Sequence, residues 1–341
     1  MAKEKFIDHK FNALSLALIE TANGILNEYR NMGYRLSLRQ LYYQLVARDY
    51  IENSVKSYKR IGNLISDARL AGLLDWEMIE DRGRETVLPT AWESPAEIVR
   101  AAANGFRVDR WEGQSQYCEV MVEKDALSGI LEPVCRKMHV RFTANKGYSS
   151  SSAMYEAGKR IRGVMRSGER NISQVHIIYL GDHDPSGIDM TRDITERLVM
   201  FSGLREEIED NGWEVSDFIQ IHRLALNYDQ VEQWNPPENP AKETDSRYQA
   251  YADQFGESSW ELDAVEPRTL ASLVEDQIVD FIDANQWQTI LLREKEMRNE
   301  LLGFADEYDR KEDTARYEEQ SAAQRAENNE RKNTKKKGKR K

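Results

Sequence analysis

Two separate stretches of the sequence share one layout: an apolar run, then acidic residues, then the start of a helix. In "CEVMVEKDALSGIL" an apolar strand from Cys118 to Val122 ends at Glu123. In "VHIIYLGDHDPSGIDM" the run 175–180 leads to Asp182 and Asp184, and Pro185 opens the next helix. Short apolar runs separated by helical stretches are the pattern of an α/β domain. The runs "VRFTA" (140–144) and "DFIQIHRLAL" (217–226) continue it, so residues 117–225 are predicted to form an α/β domain.

In an open α/β sheet the loops at the carboxyl ends of the strands line the functional crevice. Glu123, Asp182 and Asp184 are therefore expected to converge there. Three carboxylates at short range raise one another's pKa and are unstable without a cation. A divalent ion relieves that conflict, and a set of oxygen ligands suits Mg²⁺ or Mn²⁺ rather than zinc. Asp-x-Asp by itself favours turn and helix-capping aspartates; Glu123 at a second strand end turns the balance to the metal. His183 between them points away from a surface shared by its neighbours and is given no role.

Residues 1–30 read as an amphipathic helix, without a signal peptide's basic start, apolar centre and small-residue cleavage site. In "SLRQLYYQLVARDYI" Ser37 and Gln40 have the spacing of a capping box. Leu38, Leu41, Tyr42 and Leu45 follow a helical period and define a buried stripe. Tyr43 lies about 100° around from Tyr42, with Arg39 one turn before it. Tyr42 thus reads as core, and Tyr43 as a tyrosine with an accessible hydroxyl beside a cation. The next helix, "SVKSYKRIGNLISDARLAGLL", has Tyr58, Ile61, Leu64, Ile65 and Ala68 on its apolar side. Lys56, Lys59, Arg60 and Asn63 form a basic outer face. Two short helices of this kind match a helix-turn-helix whose second helix enters the major groove, with "LDWEMIEDRGRETVL" as the wing.

The 341 residues carry a net charge of −11, which excludes a uniformly basic nucleic-acid binder. Lysine and arginine dominate the end, "RKNTKKKGKRK". From 306 onward the chain is expected to be a disordered charged tail, one able to meet phosphates through its basic end. No apolar run approaches the roughly 20 residues of a membrane span. Only two cysteines are present, without zinc spacing, and a cytoplasmic setting fits best. Residues 227–259 read as loop-rich. A helix begins at Pro267. Glu261 and Asp263 read equally well as acids that approach the acidic site and as acids ahead of an amphipathic helix, and are left out of the catalytic set, while Trp260 and Leu262 read as core.

Taken together, "VEKDAL", "NKGYSS" and "GDHDPSGI", with "LRQLYY" before them, resemble a family: the A subunit of topoisomerase VI and the related meiotic double-strand-break proteins. The resemblance covers roughly residues 35–200. It implies a helical winged-helix domain over 31–112 and a Rossmann-like Toprim domain with a parallel sheet over 117–305, ending in C-terminal helices. It implies that Tyr43 attacks a DNA phosphate and becomes joined to a 5′ end, assisted by Arg39. Glu123, Asp182 and Asp184 would hold Mg²⁺, Glu123 would act on the 3′ oxygen, and Lys146 would contact phosphate. Double-stranded DNA, a homodimer, a nucleoid location and a separate ATPase partner subunit are implied, since the chain has no G-x-x-x-x-G-K-[ST] loop of its own. Ser149 and Ser150 stand where the family has Pro-Asp, and its Thr-Arg is replaced near Ala153 and Met154. Two alternatives stay open: a Toprim metal-dependent nuclease that uses water, and a non-catalytic DNA-binding protein on the same fold.

Overall fold

The computed structural model describes residues 3–79, 91–144, 151–166, 172–212 and 214–338. Contacts divide the chain into one unit of Met1–Glu85 with Trp111–Asp283, and a second of Thr86–Arg110 with Ala284–Lys341.

The first unit opens with helices α1 (Ala13–Asn31), α2 (Leu38–Ala47) and α3 (Val55–Leu70). The capping box is present: Ser37 Oγ accepts from the Gln40 N–H, and Gln40 Oε1 accepts from the Ser37 N–H. Ile19, Ile25, Leu26 and Tyr29 of α1 pack with Leu41, Leu45, Ile61 and Ile65 in one apolar cluster. Helix α2 is buried on more than one stripe, because the short turn Leu262–Ala264 covers a second side of it. That cover buries Tyr43 as deeply as Tyr42, at 4% and 3% exposure. The expectation of an accessible Tyr43 hydroxyl is corrected accordingly. On α3, Lys56, Lys59, Arg60 and Asn63 are exposed, opposite buried Ile61, Ile65 and Ala68. Of the expected wing, Trp76–Met78 is a 3₁₀ turn, and 80–88 lies outside the described residues. Helix α4 (Pro95–Gly105) belongs to the second unit.

The α/β region follows as β1 (Gln116–Val122), α5 (Ser128–Lys137), β2 (Arg141–Ala144), α6 (Ser151–Arg166), β3 (Gln174–Leu180), α7 (Pro185–Ser202), α8 (Arg205–Asn211) and β4 (Ile219–Ala225). The four strands are parallel, in the order β2-β1-β3-β4. Helices α6 and α7 cover one face, with Met154, Ile161, Ile194 and Leu198 packed on Tyr117, Met121, Ile177 and Tyr179. On that face Glu119 is fully buried, and Arg160 of α6 pairs with both its oxygens at 3.0 and 2.8 Å.

Residues 227–259 are more ordered than their composition suggests. They fold as α9 (Tyr228–Trp234), β5 (Glu238–Pro240), α10 (Tyr248–Phe255) and β6 (Ser258–Trp260), with β5 and β6 antiparallel. Helix α11 (Pro267–Asp280) starts at Pro267 with Glu266 as its N-cap, and packs against α5.

On the α11 side of the sheet, His176 is 4% exposed. Its Nδ1 lies 2.9 Å from His222 Nε2, its Nε2 2.5 Å from Gln116 Oε1, and its ring stacks on Phe281. Burial first, and His222 second, push its pKa down from 6.5 to about 4. Between those two values the unfolded chain binds more protons than the folded one, so stability is lost as pH falls through that window. Exchanging His176 for Gln is expected to remove on the order of 2 kcal/mol of the acid-induced loss. Denaturant midpoints at pH 7 and pH 4.5 measure it; an unchanged loss would exclude His176 as its source.

In the second unit, α4 lies along α12 (Ala284–Gly338). Glu294 is 3% exposed and accepts from Arg110 and Arg298 at 2.7 and 2.8 Å. The tail read as disordered from 306 is instead helical to Gly338. Glu307 pairs with Lys311 at 2.7 Å, the Glu-before-Lys order at i,i+4 that supports an exposed helix. Among the described residues no helix is long and apolar enough to cross a membrane.

Candidate active site

Strand register brings the acids together. Val122 at the end of β1 is paired with Leu180 at the end of β3, so Glu123 and Asp182 leave the sheet at the same edge. The Asp182 N–H donates to Glu123 Oε2 at 3.0 Å. Asp184 caps α7: its Oδ1 accepts from the Gly187 N–H at 2.6 Å and the Ser186 hydroxyl at 2.9 Å. The helix-capping reading therefore holds for Asp184, which also lines a cleft of about 410 Å³ with Glu123, Asp182 and Ser186. Gly187 is required here, because a Cβ would collide with the Asp182 carbonyl.

The loop between the acids is held from below and from the side. Arg223 of β4 donates to the carbonyls of Gly187 at 2.6 Å and Asp182 at 2.7 Å. His183 is fully buried, with Nδ1 2.7 Å from the Tyr251 hydroxyl and its ring among Tyr228, Phe255 and Trp260. Its backbone exchanges two hydrogen bonds with Trp260 of β6, at 2.9 and 3.0 Å. Burial, then the Arg223 charge, lower its pKa to about 4, so the ring is neutral.

The charges around Asp182 are balanced by protein cations. Lys124 Nζ lies 2.6 Å from Asp182 Oδ2, 2.9 Å from Glu261 Oε2 and 3.8 Å from Asp263 Oδ2. Arg39 pairs with Glu261, and its Nε is 3.3 Å from Asp263 Oδ2. The Leu262 N–H donates to Asp182 Oδ1 at 2.8 Å. Glu261 and Asp263, left out of the catalytic set on sequence, belong to this cluster. Their neighbours in the chain do not decide it, because Glu261 lies 222 residues from Arg39 and 137 from Lys124.

Among the described residues no group of three or more His, Cys, Asp or Glu is drawn together as a ready metal site. The donor chemistry nevertheless suits a hard cation. Burial first and the Asp182 charge second raise the Glu123 pKa to about 7. Burial likewise raises Asp182, against the lowering by Lys124. These are oxygen donors whose burial opposes their charge, a set that Mg²⁺ or Mn²⁺ would suit.

A second cleft of about 410 Å³ adjoins the first. It is lined by Tyr42, Tyr43, Tyr58, Asn53 and Val55, together with Arg39, Asn239, Pro240 and Glu261, and these last four also line the acidic cleft. Tyr42 is tied down: its hydroxyl lies 3.0 Å from Asn53 Oδ1 and accepts from the Ser54 N–H at 2.8 Å. Tyr43 has Arg39 over its ring, with the guanidinium carbon 5.9 Å from the centroid. Burial, then the Glu261 charge, raise the Tyr43 pKa, while Asn239 and Arg39 lower it. Lys146 lies outside the described residues, as does the rest of "NKGYSS" up to Ser150. No family model matches the chain, and no curated protein matches it.

Proposed function

We propose that the chain cleaves DNA in a Mg²⁺-dependent reaction, in the manner of a topoisomerase VI A subunit, with Tyr43 as nucleophile. The observation that carries this reading is the adjacency of two clefts across one wall. One contains Glu123, Asp182 and Asp184, and the other contains Tyr43. The exposed Lys56, Lys59 and Arg60 of α3 support a duplex partner, and Asn63 beside them can meet base edges. A winged-helix and Toprim arrangement, a homodimer, a nucleoid location and a separate ATPase subunit are parts of the same proposal.

In the proposed reaction the Tyr43 oxygen forms a bond to phosphorus as the bond from phosphorus to the 3′ oxygen breaks. The phenol gives up its proton and the 3′ oxygen takes one up. Arg39 faces the charge that develops on the phenolate and phosphate oxygens. Glu123 is the group assigned to proton transfer at the 3′ oxygen. Glu123, Asp182 and Asp184 would hold Mg²⁺, which supplies charge neutralisation at the phosphate.

The burial of Tyr43 favours a second reading, hydrolysis by water at the same acids. Supercoiled plasmid incubated with Mg²⁺ or with EDTA, then denatured, separates the outcomes. The proposal expects Mg²⁺-dependent nicked or linear product carrying covalently bound protein. Mg²⁺-dependent breaks with free ends would establish the nuclease. Intact plasmid in every lane would reject both.

A further inference from the structure

The wall between the two clefts holds an oxyanion between two cations. Glu261 Oε2 accepts from Lys124 Nζ at 2.9 Å, and the same oxygen accepts from the Arg39 guanidinium. The cations come from distant parts of the chain, α2 and the end of β1. Each has a further partner that keeps it in place. Arg39 Nε lies 3.3 Å from Asp263, and Lys124 lies 2.6 Å from Asp182. Leu262 and the Asp263 side chain are fully buried, which anchors the turn. The Glu261 side chain is 23% exposed and that of Arg39 41%. Glu261 can therefore swing toward solvent without unfolding the turn, leaving a guanidinium and an ammonium around a vacated oxygen position. A phosphodiester oxygen is recognised by the same pair of donors.

We infer that Arg39 and Lys124 form a phosphodiester seat, and that the Glu261 carboxylate is a built-in substitute for the phosphate that DNA displaces. This rests on the DNA-cleaving reading and adds a regulation to it. One anion leaves as another arrives, so each cation keeps two anionic partners throughout. Because Glu261 is part of the shared wall, its departure connects the Tyr43 cleft with the acidic cleft. The latched form is the one that cannot take up phosphate, so its population lowers the apparent affinity.

The test uses the full chain, a labelled DNA duplex and EDTA, with affinity read by fluorescence anisotropy at fixed salt. Glu261→Gln is expected to bind about ten-fold tighter than the parent protein. Glu206→Gln, an exposed acid on α8 with the same charge change, is expected to shift affinity less than two-fold. Adding Lys124→Gln to Glu261→Gln is expected to remove the gain, which locates it at the seat. If the parent binds DNA and Glu261→Gln binds equally or more weakly, the inference is overturned and the DNA reading stands. If Glu261→Gln instead loses Mn²⁺ binding, followed by electron paramagnetic resonance, Glu261 is a cation ligand and the inference is again overturned. If neither protein binds DNA at any salt concentration, the DNA reading falls and takes the inference with it.

Discussion

Tyr43→Phe is expected to abolish covalent capture of DNA, while Tyr42→Phe leaves it intact. The two positions are adjacent in sequence and equally buried, so exposure does not distinguish them. Their hydroxyls do. That of Tyr42 is held by Asn53 and by the backbone of Ser54, which joins the end of the α2–α3 connection to the helix before it. Losing it costs about 1–2 kcal/mol of stability and nothing in chemistry. The Tyr43 hydroxyl faces charges instead: burial and then Glu261 oppose phenolate, while Asn239 and Arg39 favour it. Phenylalanine keeps the ring and its packing but has no oxygen to attack phosphorus. End-labelled DNA denatured after reaction with Mg²⁺ should carry protein-bound label with the parent and Tyr42→Phe, and none with Tyr43→Phe. Equal strand breakage in all three proteins, with free ends, would make Tyr43 a structural residue and leave water as the nucleophile.

Asp182→Asn is expected to slow Mg²⁺-dependent strand breakage by about 10³-fold, the scale of several kcal/mol of lost charge stabilisation. The same substitution should leave the melting temperature unchanged or raise it. The reasoning lies in what Asp182 touches. Its Oδ1 accepts from the Leu262 N–H, which an asparagine oxygen can also do. Its charge pairs with Lys124, but Lys124 retains Glu261 and Asp263. Burial already works against the charged form of Asp182, so removing the charge relieves a cost. Plasmid breakage rates together with thermal melting decide it: a drop in both would mean that Asp182 serves the fold.

The local features of this chain were readable because they depend on residues a few positions apart. The capping box of Ser37 and Gln40, the start of α11 at Pro267 and the apolar runs that became the strands are set by capping geometry, fixed proline φ and burial period. Even the expected grouping of Glu123 with Asp182 needed one further fact, that β1 and β3 are neighbours in matching register. The local reading failed for two different reasons. Tyr43 was buried by the distant turn Leu262–Ala264, whereas the charged segment after 306, read as disordered from its composition, is helical with local i,i+4 pairs such as Glu307 with Lys311.

By itself the sequence determined the four parallel strands, the helix starts at Ser37 and Pro267 and the three acids that follow the strands, since each rests on side chains and backbone groups within one or two turns. Only the tertiary structure decided that Arg39 and Lys124 both pair with Glu261, in the wall between the clefts. Those pairings span 222 and 137 residues, and Coulomb attraction at such sequence distances acts only after the β3 crossover and the β5–β6 return have brought the charges within a few ångströms.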